Sequence, residues 1–155
     1  MKVKFAVAVC TALLLAPVVM PASAQLYVNA GISGYNFNNG FNPDAFTGRV
    51  GYDAGPYVAV EGEAGFGIVK DNDTDLNSEF AGFVLGKLPL VENLHAYGRV
   101  GYSTIDASDF EADGFAYGVG GQYNWGKSGL RLDWTRHDYD EDPVDAWSIA
   151  YAYRF

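Results

Sequence analysis

The stretch that decides the fold is the alternating run Trp147-Ser148-Ile149-Ala150-Tyr151-Ala152-Tyr153-Arg154-Phe155. Every second residue is apolar or aromatic, and all but one of the residues between them are small. Successive side chains of a β-strand point to opposite faces, so this period of two predicts a strand with one wholly apolar face.

Similar alternation recurs along the chain in segments of about ten residues. We count eight such segments, at 26–35, 45–53, 57–68, 78–87, 94–104, 114–125, 130–137 and 144–155. Short turns are expected at 54–56, 88–93 and 126–129, and longer polar loops at 36–44, 69–77, 105–113 and 138–143. An even strand number with short turns at one end and longer loops at the other is typical of outer-membrane barrels. The sequence therefore predicts an all-β fold, an eight-stranded antiparallel up-and-down transmembrane β-barrel.

The apolar faces indicate which side of the barrel meets lipid. The last segment carries Trp147, Ile149, Tyr151, Tyr153 and Phe155 on one face, and the sixth carries a similar row at Phe115, Tyr117, Val119, Tyr123 and Trp125. An eight-stranded interior has little room for such rows, so we expect them to face lipid. In the segment 78–87 neither face is clearly polar, and its faces stay unassigned.

Charged residues on the polar faces form a balanced set of three arginines and three carboxylates: Arg49, Glu61, Glu63, Arg99, Arg131 and Asp133. A low-dielectric interior tolerates charges only when they are paired, so we expect these residues to form an interior ion-pair network. A three-residue turn at 54–56 would place Arg49 opposite Glu61. Since eight strands leave an interior just wide enough for side chains, a static open channel is disfavoured, while small or gated conductance stays open.

The N-terminal segment has the three-part layout of a secretory signal peptide. Lys2 and Lys4 precede an apolar run at 5–15, and Ala22-Ser23-Ala24 stands before Gln25, so we expect residues 1–24 to be removed and 25–155 to form the barrel domain. Removing 24 of the 155 residues leaves 131 residues without a cysteine, since Cys10 is the only one, and eight basic against 19 acidic residues, a net charge of −11. This composition excludes disulfides and disfavours a nucleic-acid partner.

These residues resemble the small outer-membrane β-barrel proteins of Gram-negative bacteria, the OmpA-like and OmpX-like group. The matching motifs are Tyr57-Val58-Ala59-Val60-Glu61-Gly62-Glu63, Gly98-Arg99-Val100-Gly101-Tyr102 and the aromatic ending from Trp147 to Phe155. The resemblance implies a barrel in the outer membrane, in contact with its lipid and lipopolysaccharide. It also implies insertion by the outer-membrane assembly machinery, which in this family reads the C-terminal aromatic strand, here Trp147, Ile149, Tyr151, Tyr153 and Phe155.

Candidate chemistry is sparse. The run Asp71-Asn72-Asp73-Thr74-Asp75 begins like a calcium loop, but Leu76 stands where that loop needs glycine and Gly82 where it needs glutamate. His137, near the predicted outer rim, is the one candidate for rim catalysis, whereas His95 is expected to be an interior hydrogen-bonding residue. We therefore predict no enzyme, no catalytic residue, no cofactor and no metal.

Two function classes remain open at this point. One is a monomeric structural barrel of the cell envelope, whose acidic extracellular loops recognise no specific ligand. The other is a surface adhesin or binding protein, in which those loops bridge divalent ions to lipopolysaccharide or contact a basic partner. A rim enzyme and a soluble ligand carrier of lipocalin type are less favoured.

Overall fold

The computed structural model describes residues 25–36, 44–68, 76–107, 110–139 and 143–155. The predicted signal peptide and most of the predicted loops lie outside these ranges. Among the described residues, no helix is long and apolar enough to cross a membrane. The strands are β1 (Gln25–Asn36), β2 (Asp44–Asp53), β3 (Val58–Gly67), β4 (Leu76–Val91), β5 (Leu94–Ala107), β6 (Phe110–Trp125), β7 (Ser128–Tyr139) and β8 (Pro143–Arg154).

The eight strands close into one antiparallel barrel in sequence order, with β1 paired to β8. A path through paired residues leaves β8 at Pro143, passes once around the barrel and returns to β8 at Tyr153, ten residues away. This stagger requires strands tilted by roughly 35–45° from the barrel axis. The predicted fold is confirmed.

Two of the predicted connections are much shorter in the structure. β4 continues through Val91, so the expected turn at 88–93 shrinks to Glu92 and Asn93. Likewise, β5 extends to Ala107 and β6 already begins at Phe110, where a loop at 105–113 was expected. The residues at 105–113 are as polar as those of a loop. A barrel strand that extends beyond the lipid contacts water on its outer face and can carry polar residues, so its end resembles a loop in sequence.

The predicted faces of β6 and β8 are confirmed. Phe115 and Trp147 are 72% and 66% exposed on the outside, whereas Ala116 and Ala150 are buried in the lumen. The lumen side of β4, which the sequence left unassigned, carries the buried residues Glu79, Ala81, Phe83 and Leu85. The barrel therefore has an apolar outer surface and a lumen filled by side chains.

Candidate functional site in the barrel interior

Six charged side chains fill the middle of the lumen, and we call this group the ion-pair plug: Arg49, Glu61, Glu63, Arg99, Arg131 and Asp133. Each is at most 6% exposed. They come from β2, β3, β5 and β7, and each occupies a strand position whose side chain points into the lumen. The structure thus brings together all six residues that the sequence singled out for the interior.

Arg131 is held by two carboxylates. It donates to both oxygens of Glu61, over 2.6 and 3.1 Å, and its Nε donates to Asp133 Oδ2 over 3.2 Å. The same Nε donates to the hydroxyl of Tyr97 over 2.5 Å, and the guanidinium lies 4.4 Å from the centre of the Tyr97 ring. Two-oxygen contacts of this kind are the strong geometry for an arginine and a carboxylate.

Arg49 corrects one sequence prediction. The last residues paired between β2 and β3 are Asp53 and Ala59, so five residues separate the paired strands where three were expected, and the register pairs Arg49 with Glu63 and Gly51 with Glu61. Arg49 donates to Glu63, and its terminal nitrogens donate to both oxygens of Asp133 over 3.0 and 3.2 Å. Its Nε still lies 3.9 Å from Glu61 Oε1, so the expected partner is a secondary neighbour.

Arg99 completes the plug. Its two terminal nitrogens donate to Glu63 over 3.0 to 3.2 Å, and Nη1 lies 3.4 Å from Glu61 Oε1. The guanidinium stacks over the ring of Phe83 at 3.8 Å from its centre. Burial of these charges is tolerated because each arginine has carboxylate partners, although Arg99 Nε finds no hydrogen-bond partner among the described residues. Tyr27, which donates to Glu61 Oε2 over 2.9 Å, plays a similar supporting role.

Sequence reasoning missed the aromatic residues that support the plug. Tyr27, Phe83 and Tyr97 are buried in the lumen, although aromatic residues were expected to face lipid. Strand parity could have identified Tyr97, which lies two residues before Arg99 and therefore on the same face. The physical reason for the inward aromatics is that a guanidinium plane stacks favourably on an aromatic face.

A second group lies between the plug and the end of the barrel at which the longer loops were predicted. We call it the upper cluster: Tyr35, Glu79, Ser103, His137 and Tyr139. Tyr35 donates to Glu79, and Ser103 Oγ lies 2.9 Å from His137 Nδ1. His137 is 1% exposed, so the structure places this candidate for rim catalysis inside the barrel, away from solvent.

Apolar side chains close the lumen above the upper cluster. This apolar cap consists of Tyr35, Ala45, Ile105, Tyr139, Val144 and Ala146. Ala45 and Ile105 are both 0% exposed. Two tyrosines, Tyr35 and Tyr139, belong to both groups, because their rings pack in the cap while their hydroxyls reach the upper cluster.

The opposite end of the lumen, near the short turns, is polar. Lys87 and Arg154 both contact Asp53, and His95 Nδ1 lies 3.3 Å from the Asn124 side-chain nitrogen, in keeping with its expected hydrogen-bonding role. A cavity of about 20 Å³ opens among these residues. That volume holds about one water molecule, which is too little for an organic ligand.

The outward residues of the C-terminal strand lie where the sequence placed them. Trp147, Ile149, Tyr151 and Phe155 are at least half exposed, and Tyr153 packs edge-on against Phe155. The structure shows their common face. Their role as an assembly signal stays a prediction.

In the part of the chain that the structure describes, no three His, Cys, Asp or Glu side chains converge on a point that could hold a metal ion. The acidic run 71–75, weighed above as a calcium loop, lies outside the described residues.

Comparison with known proteins gives a consistent fold. The model of the family described as "Outer membrane protein beta-barrel domain" matches residues 6–155. No curated protein sequence matches significantly. Among solved structures, Ail of Yersinia pestis, in complex with the heparin analogue sucrose octasulfate, has a TM-score of 0.59 at 17% identity, covering 85% of this chain and 97% of Ail.

Two further structures show the same barrel. The N-terminal β-barrel domain of Pseudomonas aeruginosa OprF has a TM-score of 0.65 at 13% identity, over 84% of this chain and 97% of that domain. Neisserial surface protein A has a TM-score of 0.59 at 13% identity, over 84% of this chain and 95% of its own. At these identities the likeness shows the fold alone.

Proposed function

Because the chain belongs to the outer membrane protein β-barrel domain family, we propose that it is a structural protein of the outer membrane, a non-enzymatic barrel that supports the envelope and conducts no solutes. The observation that carries this proposal is the filled lumen. The ion-pair plug occupies its middle, and the apolar cap lies above. Any solute crossing the barrel would have to break several buried ion pairs, each of them costly to separate.

Recording from single barrels in planar lipid bilayers tests the absence of conduction. We expect no current steps from the wild-type barrel. The double variant Arg131→Ala and Glu61→Ala removes two facing members of the plug and is the matched positive control for leak. Stable current steps from the folded wild-type barrel, verified by heat-modifiable gel mobility, would refute a purely structural role and support the small gated pore.

The envelope role itself is tested in cells. A strain lacking the protein should become more permeable to a hydrophobic dye or a detergent, and the wild-type gene should restore the barrier. Full restoration by a version with its extracellular loops shortened would argue that the barrel acts without loop recognition.

A surface-binding role is the second candidate, and one observation favours it. Four carboxylates, Asp106, Glu111, Asp113 and Asp138, lie on the outward face near the extracellular ends of β5 to β7, where Asp106 pairs directly with Glu111. Such a rim favours divalent ions that bridge to lipopolysaccharide phosphates, or a basic partner. It disfavours a polyanion of the kind bound by Ail.

Binding to lipopolysaccharide-containing vesicles, with magnesium and then with EDTA, tests this second role. Wild type should bind less with EDTA, and the combined Asp106→Asn and Glu111→Gln variant should lose that difference. Equal binding by both proteins under both conditions would contradict the surface-binding role and leave only the structural role.

Export and assembly belong to the same proposal. We infer that residues 1–24 direct secretion and are removed after Ala24, and that the assembly machinery inserts the barrel as a monomer by its C-terminal strand. Mass spectrometry of the outer-membrane form checks the cleavage site. Phe155→Ala should reduce the amount of folded barrel, whereas a change at the inward Ala152 to Ser should not.

A further inference from the structure

One buried carboxylate is left over by the charge balance of the lumen. The three arginines and three carboxylates of the ion-pair plug balance one another in charge, and none of the described arginines hydrogen-bonds to Glu79. Glu79 is 0% exposed. Its Oε2 accepts from Tyr35, but no described residue donates a hydrogen bond to Oε1. An isolated buried carboxylate is very costly, so this group requires a proton or a positive partner.

The nearest group that can supply either is His137. Its Nδ1 lies 3.4 Å from Glu79 Oε1, and its side chain is 1% exposed. The ring stacks on Tyr139, with centroids 5.8 Å apart, and lies 6.3 Å from the ring of Tyr35. The remaining groups that face it are Ser103 of β5 and the plug residues Glu63, Arg99 and Arg49 below. Asp145 of β8 is close in the chain pairing but lies on the outer face, bonded to Arg136.

From this geometry we propose that Glu79 and His137 form a buried proton-binding site that holds a single proton between them, and that this proton keeps the apolar cap closed. With one proton, the pair is neutral overall, either as a carboxylic acid beside a neutral imidazole or as a carboxylate beside an imidazolium. With none, the pair carries one uncompensated negative charge, and with two, one positive charge. The two groups titrate as a unit, so the site is defined by its proton count.

The link to the cap is direct. Tyr35 bonds Glu79 with its hydroxyl and packs its ring in the cap, and Tyr139 stacks on His137 while packing in the same cap. When the proton leaves, the new charge lies against apolar side chains of the cap, since Ile105 pairs with Glu79 and Val144 with His137. Water that enters from the cap side to solvate that charge disrupts this packing, so the cap opens locally.

Spectroscopy on the folded barrel in lipid counts the proton without any variant that could misfold. Infrared absorption identifies a protonated carboxyl by its C=O band, and the ¹⁵N chemical shifts of labelled histidine distinguish imidazolium from imidazole. At neutral pH we expect either the carboxyl C=O band or the imidazolium shift, but not both. If the carboxyl band is the one observed, it must vanish in Glu79→Gln. Neither signal, or both together, would overturn the single-proton site.

Cysteine labelling tests the link to the cap. The chain has only Cys10, in its N-terminal segment. A barrel carrying Ile105→Cys is compared with one carrying Ile105→Cys and Glu79→Gln, using a membrane-impermeant thiol reagent added from the extracellular side. The ratio of the two labelling rates cancels the pH dependence of the thiol itself.

We expect that ratio to rise about tenfold or more as the pH increases through the range in which the shared proton disappears spectroscopically. A cysteine at Asn124, in the periplasmic mouth, should show no such rise when labelled from its own side. A ratio that stays constant across that range would overturn the role of the proton in closing the cap.

Discussion

The pairing of Arg131 with Glu61 gives the sharpest test of how the lumen is held together. Both side chains are at most 1% exposed, and two hydrogen bonds of 2.6 and 3.1 Å join them. Glu61→Gln keeps the shape of the side chain and removes its charge. Breaking a buried pair costs about 3–5 kcal/mol. Since Asp133 stays 3.2 Å from Arg131 Nε, we expect a loss near the lower end of that range.

The double variant Glu61→Gln and Arg131→Met removes both charges at once, so it should be less damaging than the sum of the two single variants. We expect a coupling free energy of about 2 kcal/mol for this directly bonded pair. The same cycle on Glu61 and Arg49, whose closest charged atoms are 3.9 Å apart, should give a clearly smaller value. The register of β2 against β3 therefore predicts the order of the two couplings.

Urea unfolding of the barrel in lipid vesicles, followed by tryptophan fluorescence and by heat-modifiable mobility, measures all of these free energies. Arg136→Met is the matched control, because its bonds to Asp145 are equally short but its side chain is 38% exposed, and we expect little change. Equal couplings in the two cycles, or a larger one for Arg49, would refute the register and the contacts derived from it.

Three further predictions concern the faces, the packing and the topology. Ile149→Arg should destabilise the barrel by about 2–4 kcal/mol in the urea assay, because a charge would face the lipid. Gly51→Ala should cost about 1–3 kcal/mol, because a Cβ there would overlap the ring of Tyr27, and the loss of the Tyr27 bond to Glu61 should appear with it. Protease added to intact cells should cleave within 69–75, because the longer loops of outer-membrane barrels are extracellular.

Each of these has an internal control. Ala150→Ser, on the lumen face of the same strand as Ile149, should be much milder than the arginine variant, and equal effects would reverse the faces. Gly48→Ala, at an outward position with open space around it, should leave stability nearly unchanged. The turn at 126–127 should resist the protease in intact cells, and cleavage there would invert the topology.

The sequence alone was sufficient for the eight strands, their closure into a barrel and the face of most strands. The strands and their faces follow from the period of two, which is a local property of each segment, whereas closure was expected from the even strand number and the alternation of short and long connections. It was also sufficient to select the six residues of the plug, because a charged residue on an otherwise small or apolar lumen face has to find a partner of opposite charge. Local patterns did not assign β4, where Phe83 and Leu85 face the lumen.

The partners within the plug depended on the tertiary structure. The last pair of β2 and β3 is Asp53 with Ala59, so five residues lie between the paired strands in place of three. This shifts the register by two residues, so that Glu63, in place of Glu61, lies opposite Arg49. The strand pattern constrains the face of each residue, but a shift of two residues preserves that face. Only the conformation of the turn and the packing across the lumen decide between such registers.

What the sequence by itself determined about this protein is therefore an outer-membrane barrel with a charged, balanced interior. Only the tertiary structure brought Glu79 of β4 beside His137 of β7, and showed that this buried carboxylate has no arginine partner among the described residues. The two strands are not neighbours in the barrel, and their residues meet across the lumen. Such a contact depends on strand number, stagger and tilt together, which are properties of the closed barrel that no single segment of sequence contains.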